Sequence, residues 1–222
     1  MWPFLAPKLD DCHQHGAGSG AELFLVEGDS AAGSLKLVRD HATQAILPMQ
    51  GKPLNAAKAS PERVAAYPLF AQLATAIGAG SGPSFDLGRR RYDRVVLLMD
   101  ADADGIHCAA LMCLYFYRMM WPLLEQGRVF IAHAPLATVY AGADVIHVFS
   151  EVDYRATAEA RRAAGAEVQT VRYRGLAGLS HATLAATCVR PATRALRVLG
   201  PGDAHAVRTV FGGGTAPQPT LF

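Results

Sequence analysis

Residues 95–107 read VVLLMDADADGIH, an apolar run that passes directly into Asp100, Asp102 and Asp104 and then Gly105 and His107. Five consecutive apolar residues bounded by charge read as a strand buried on both faces. Three carboxylates in five residues repel one another, so gathering them is costly unless a cation neutralises them. If the strand stays extended through Asp102, its two-residue period puts Asp100 and Asp102 on one face at the carboxyl end, where open α/β sheets bind ligands. The EF-hand reading fails and three stay open, a divalent-metal site first. D-A-D-A-D-G matches the start of an EF-hand loop, but position twelve is Leu111 rather than a bidentate Glu, and a strand precedes it. A strand ending in D-x-D also opens some phosphatases that use the first Asp as nucleophile. The third reading is a solvated acidic turn.

Outward from this stretch, residues 22–135 alternate apolar runs with longer helical stretches. The runs 23–26, 45–49, 95–99 and 129–132 predict parallel strands in βαβ units. Helices are expected from Ser30 to about His41, with Ser30 or Asp29 as cap, and after Ser60-Pro61-Glu62 to about Ile77. A third is expected over 108–124, whose one charge is Arg118. Arg118, Pro122 and the three preceding aspartates argue against a membrane span and for a helix buried across a sheet. Beyond residue 135 the pattern weakens to two short alternating segments, 138–140 and 145–149, and a charged helix over 154–164. The expected organisation is a lead-in (1–21), an α/β domain (22–136), an accessory α+β appendage (137–211) and a flexible tail (212–222).

The chain has 222 residues, 51% hydrophobic and 18% charged, a composition that excludes disordered and fibrous classes. Its opening, MWPFLAPK, has no basic stretch ahead of the apolar residues, so a cytoplasmic location is expected. Four scattered cysteines fit neither a disulfide framework nor a zinc finger. Residues 136–222 carry nine arginines against six acids, a basic lean that suits phosphate or a solvated surface.

A second motif, LFLVEGDSAAGS (23–34), is a strand ending in Glu27-Gly28-Asp29-Ser30 and entering a helix. Gly28 permits a sharp turn. If both strands lie in one parallel sheet, Glu27 and Asp100 reach the same edge, where carboxylates hold Mg²⁺ while leaving positions for water and phosphate.

Glu27 together with Asp100-x-Asp102-x-Asp104-Gly-x-His resembles the TOPRIM fold, and specifically the B subunits of bacterial type IIA topoisomerases, DNA gyrase and topoisomerase IV. PKLDDC (7–12), VEGDSAAGS (26–34), QAILPMQGK (44–52), RYDRVVLLMDADADGIH (91–107), FYRMMWPLLEQGRVFIAHAPL (116–136), VRYRGLAGL (171–179) and TCVRPATRALRV (187–198) follow in family order. The resemblance implies a Rossmann-like parallel sheet with helices on both faces. It further implies Mg²⁺, one or two ions, beside a scissile phosphodiester of duplex DNA. Glu27 and Asp100 would hold the ion nearest the phosphate and Asp100 and Asp102 the second, with Asp104 in support. Glu27, Asp100 and Asp102 are thus the implied catalytic residues, and Glu27 would exchange a proton with the leaving 3′ oxygen. Lys52, His107, Arg118 and Arg174 match positions near DNA. The attacking tyrosine belongs to a gyrase A-type partner. No ATPase segment is recognisable, so ATP would enter only through a separately encoded ATPase half, and the chain is expected to be a C-terminal half. Several positions depart from the family: Gln50 replaces a basic residue, Ile106 a serine, and Arg-Gly-Leu-Ala-Gly stands for Lys-Gly-Leu-Gly-Glu. Two alternatives follow, a non-catalytic paralogue that binds DNA or a gyrase subunit, and a stand-alone metal-dependent phosphoryl-transfer enzyme.

Overall fold

A computed structural model describes residues 6–212. The chain opens its α/β layer with β1 (Glu22–Glu27), α1 (Gly28–Lys36) and β2 (Gln44–Met49). Two short helices, α2 (Pro61–Ala66) and α3 (Pro68–Ile77), lead to β3 (Arg94–Leu98). Then come α4 (Ala103–Met119), α5 (Trp121–Glu125) and β4 (Val129–Ala132). These four strands are the four expected apolar runs, and they pair in parallel in the order β2-β1-β3-β4. Alternation along β1 explains why the runs are apolar throughout. Leu23 and Leu25 pack with α3 and α4 on one face, while Phe24 and Val26 pack with α1 on the other. The fold is therefore a mostly parallel Rossmann-like sheet with helices on both faces.

The chain then builds a second, antiparallel sheet from β5 (Ala137–Ala141), β6 (Asp144–Val148) and, after α6 (Glu151–Ala163), β7 (Val168–Arg172), in the order β6-β5-β7. After α7 (His181–Leu184) it returns to the first sheet. There β8 (Leu196–Val198) pairs antiparallel with β4, and α8 (Pro201–Phe211) covers α4. Glu22 at the start of β1 anchors this return, since its carboxylate takes Arg194 Nη1 at 2.8 Å, with both side chains almost fully buried. No helix among the described residues is long and apolar enough to cross a membrane.

Several helix boundaries differ from expectation. α1 ends at Lys36, short of His41, because Arg39 turns inward. Its guanidinium binds the Asp10 carboxylate at 2.9 Å and the Asp11 carbonyl at 2.8 Å, contacts that a continuing helix would carry away. α1 also begins at Gly28, so neither Ser30 nor Asp29 caps it; Glu27 holds the cap position and makes no side-chain cap bond. The helix expected over 61–77 breaks at Pro68, which forces Tyr67 into an extended conformation, whereas Ser60 caps its start as expected. The helix expected over 108–124 starts five residues earlier, at Ala103, because Asp102 caps it by accepting the Gly105 N–H at 2.8 Å; it breaks at Met120, ahead of Pro122. The terminal tail expected from residue 212 lies, from 213 onward, outside the described residues.

Candidate functional site

β1 and β3 are hydrogen-bonded neighbours in register Val26↔Leu98, so the residues that follow, Glu27 and Asp100, leave the sheet side by side at its carboxyl edge. Gly28, at φ +80°, provides the turn out of β1. Asp102 caps α4 and Asp104 lies in its first turn, which places all four carboxylates around one rim. Glu27 is the least comfortable of them. Its Oε2 is buried and has no hydrogen-bond partner. Burial, then the charges of Asp100, Asp102 and Asp104, push its pKa above the ordinary carboxylate value, with Lys52 opposing.

Asp100 is gripped by a distant part of the chain. Its Oδ1 accepts the Leu176 N–H at 2.8 Å, and Gly175 lies flat against the carboxylate. A Cβ on Gly175 would sit 2.7 Å from Asp100 Oδ2, and φ of +142° adds strain for any other residue. From below, Gly105 approaches so closely that a Cβ there would lie 2.2 Å from the Asp100 carbonyl oxygen. Asp104 is exposed and pairs with Lys52 Nζ at 2.7 Å; that hydrogen bond lowers the pKa of Asp104 and raises that of Lys52.

The other residues singled out from the sequence divide. Lys52 and Arg174 are exposed and border the carboxylates, Lys52 through Asp104 and Arg174 through its neighbour Gly175. His107 stacks on Phe211 with ring centroids 5.3 Å apart. Arg118 turns away, its Nη1 donating to the carbonyls of Ala56 and, at 2.7 Å, Ala59, so it braces the segment after Lys52. Gly105, Gly175 and Leu176 were missing from the candidate residues; the signal was a glycine beside each acidic or basic motif, Asp-Gly at 104–105 and Arg-Gly at 174–175.

Do these residues suit a divalent ion? Among the described residues, one group of three brings potential ligand atoms within 4.8 Å of one another, and it is Asp11, Cys12 and His15. That group is structural. Burial raises the Asp11 pKa, but hydrogen bonds from His15, Tyr92 and Arg91 outweigh it and bring it to about 2. Burial and the Asp11 charge push the Cys12 thiol up to about 11, and the Arg91 guanidinium occupies the place a cation would take. The rim carboxylates are more widely spaced than a zinc cage. Mg²⁺ keeps several waters and takes one or two carboxylates, so a partnerless Glu27 oxygen beside half-buried Asp100 fits it.

A parallel α/β sheet with a glutamate ending one central strand and an Asp-x-Asp-x-Asp run following its neighbour defines the Toprim class. The chain belongs to the Toprim domain family, whose model matches residues 22–134. It is similar to the B subunit of DNA gyrase from Thermotoga maritima, 40% identical over 190 residues, which cover 86% of this chain and 29% of that protein. It is 36% identical over 207 residues to the B subunit of DNA gyrase from Halalkalibacterium halodurans, covering 93% of this chain and 32% of that protein. Against the corresponding gyrase protein of Staphylococcus aureus it is 40% identical over 192 residues, 86% of this chain and 30% of that one. The chain thus spans about a third of the length of these relatives.

Proposed function

We propose that this chain is the Mg²⁺-dependent Toprim part of a type IIA topoisomerase, acting on duplex DNA beside a gyrase A-type subunit that carries the attacking tyrosine. The observation that supports it most is the buried, partnerless Glu27 carboxylate oxygen on the strand adjoining Asp100. A carboxylate left so exposed to like charge is costly without a cation.

Glu27, Asp100 and Asp102 are the proposed ligands, with Asp104 in support. When bound, magnesium offsets charge on the scissile phosphate and anchors the DNA backbone. The chain's own groups do the rest. Glu27 gives a proton to the leaving 3′ oxygen through whichever carboxylate oxygen the metal leaves free, and takes it back on religation. The Leu176 N–H fixes the Asp100 carboxylate, so that Oδ2 keeps one orientation. Lys52, His107 and Arg174 contact the DNA backbone, and Arg118 serves by holding the segment behind Lys52. ATP would act only through a separate ATPase segment.

Of the departures from the family, the Arg-Gly-Leu-Ala-Gly segment touches the site most closely. Its contacts with Asp100 come from the Gly175 backbone and the Leu176 N–H, which the substitutions leave in place. That favours a working site over a non-catalytic paralogue. The test is cleavage of supercoiled plasmid with Mg²⁺ and a gyrase A-type subunit, without ATP. Partner-dependent cleavage abolished by Asp100→Asn is expected. Complex formation without cleavage supports a non-catalytic paralogue, and nicking by the isolated chain supports an independent phosphoryl-transfer enzyme.

A further inference from the structure

The amino ends of the same parallel strands carry a second polar site, about 17 Å from Glu27 at the usual rise per strand residue. A cavity of about 430 Å³ opens there between the start of β1, the start of β3 and Arg128, the residue ahead of β4. Three guanidiniums line it, from Arg90, Arg94 and Arg128, against two carboxylates, Glu22 and Asp93. Both carboxylates are already saturated. Glu22 accepts from Arg194, from Arg94 at 3.1 Å and from Gln44 at 3.1 Å. Asp93 accepts the N–H groups of Gly18 at 3.0 Å and Gly20 at 2.8 Å, and Arg90 at 3.0 Å.

The donors are not saturated. The Nε atoms of Arg90 and Arg128 are both buried without a hydrogen-bond partner, and the Arg128 guanidinium has no ion-pair partner among the described residues. Buried donors of this kind normally find an acceptor. What sets the cavity apart is that three guanidiniums line it while both carboxylates on its wall are already in use, so positive charge is left to face an entering anion.

We propose that this cavity is a phosphate-binding site, independent of the metal rim. Guanidiniums from two stretches of the chain, residues 90–94 and Arg128, offer N–H groups in several directions, which suits a tetrahedral anion better than a planar one. The volume lies within the range of ligand pockets and exceeds a bare phosphate, leaving room for the group that a phosphate ester carries. The phosphate belongs either to a small phosphorylated molecule or to a nucleic-acid backbone, and competition separates the two.

The test is nitrogen–proton NMR of the arginine Nε–H groups of the whole chain during titration with inorganic phosphate, ionic strength being held constant with sodium chloride. The Arg128 and Arg90 signals are expected to shift and saturate. Arg128→Ala should weaken phosphate binding about tenfold or more, the loss of one charge-assisted contact, while leaving the phosphate-free melting temperature and the Mg²⁺ response unchanged. Arg94→Gln, at a half-exposed side chain, provides a second variant with a smaller loss. Ribose 5-phosphate displacing phosphate more effectively than a short DNA duplex supports a small-molecule ligand; the reverse order supports the DNA backbone. Arginine signals that do not move, or a titration that Arg128→Ala leaves unchanged, overturn the proposal. Because the readout lies at the opposite edge of the sheet, its failure does not touch the metal reading, nor does failure of the metal reading touch it.

Discussion

Replacing Glu27 with Gln should stabilise the metal-free protein, the opposite of what removing a charged residue from a well-paired site would do. Glu27 Oε2 is buried without a partner, and burial and then three neighbouring aspartates raise its pKa. Gln keeps a polar atom in that place but removes the charge, and two like charges about 4 Å apart repel by about 1 kcal/mol in water. Glu27→Gln should therefore gain about 1 kcal/mol, or roughly 2–4 °C in melting temperature for a domain of this size. The sign of the pH dependence follows from linkage. A folded pKa above the unfolded one means that the native state holds its proton more tightly. Stability from this group is therefore greatest below the ordinary carboxylate range and falls as pH rises through the raised value. Relative to Glu27→Gln, wild type should lose stability over that window, because the carboxylates whose pKa folding lowers, such as Asp11 and Asp93, act alike in both proteins. Magnesium should reverse the order: at a hundred times its dissociation constant it adds about 2.7 kcal/mol to wild type and less to the variant. Calorimetric melting from pH 4 to 8, with and without Mg²⁺, reads all of this. A Glu27→Gln protein that melts lower than wild type in chelator, or gains as much from Mg²⁺, would refute the reasoning.

Arg194→Ala should cost about 3 kcal/mol in urea unfolding, because it strips the main partner from the buried Glu22 carboxylate while leaving Arg94 and Gln44 in place; a loss below about 1 kcal/mol would contradict the pairing. Gly175→Ala should weaken Mg²⁺ binding by displacing the Asp100 carboxylate and also cost about 1–3 kcal/mol of stability, the strain of a side chain at φ +142°. Gly105→Ala should do both as well, with a stability loss of about 1–3 kcal/mol, because there the obstacle is backbone. Calorimetric Mg²⁺ titration with urea unfolding separates the two effects. Lys52→Gln should weaken DNA binding evenly across sequences and lower the slope of log affinity against log salt by about 1, read by fluorescence anisotropy.

Much of the central sheet was legible because its strands are buried on both faces: 129–132 matches in full, and the other three runs fall within one or two residues. The Glu27–Asp100 proximity was legible too, since parallel neighbouring strands deliver their carboxyl ends to one edge. Helix ends were less so. α1 stops where Arg39 reaches into the lead-in segment, a contact with Asp10 across 29 positions that no local pattern shows. The start of α4 was hidden because Asp102, read as a ligand, also acts as a cap. β7 and β8 are short and mostly exposed, so they lack the apolar signal of the main strands. The grip of Gly175 and Leu176 on Asp100 joins residues 76 apart and uses backbone atoms, which leave no side-chain motif to read.

The most direct test of the metal rim is diffraction from crystals soaked in Mn²⁺, with data collected to show the anomalous signal of manganese. An anomalous peak within coordination distance of the Glu27 and Asp100 carboxylates, lost in Asp100→Asn crystals, is the expected result. Bound manganese elsewhere with none between β1 and β3, or a rim peak that survives Asp100→Asn, would contradict it.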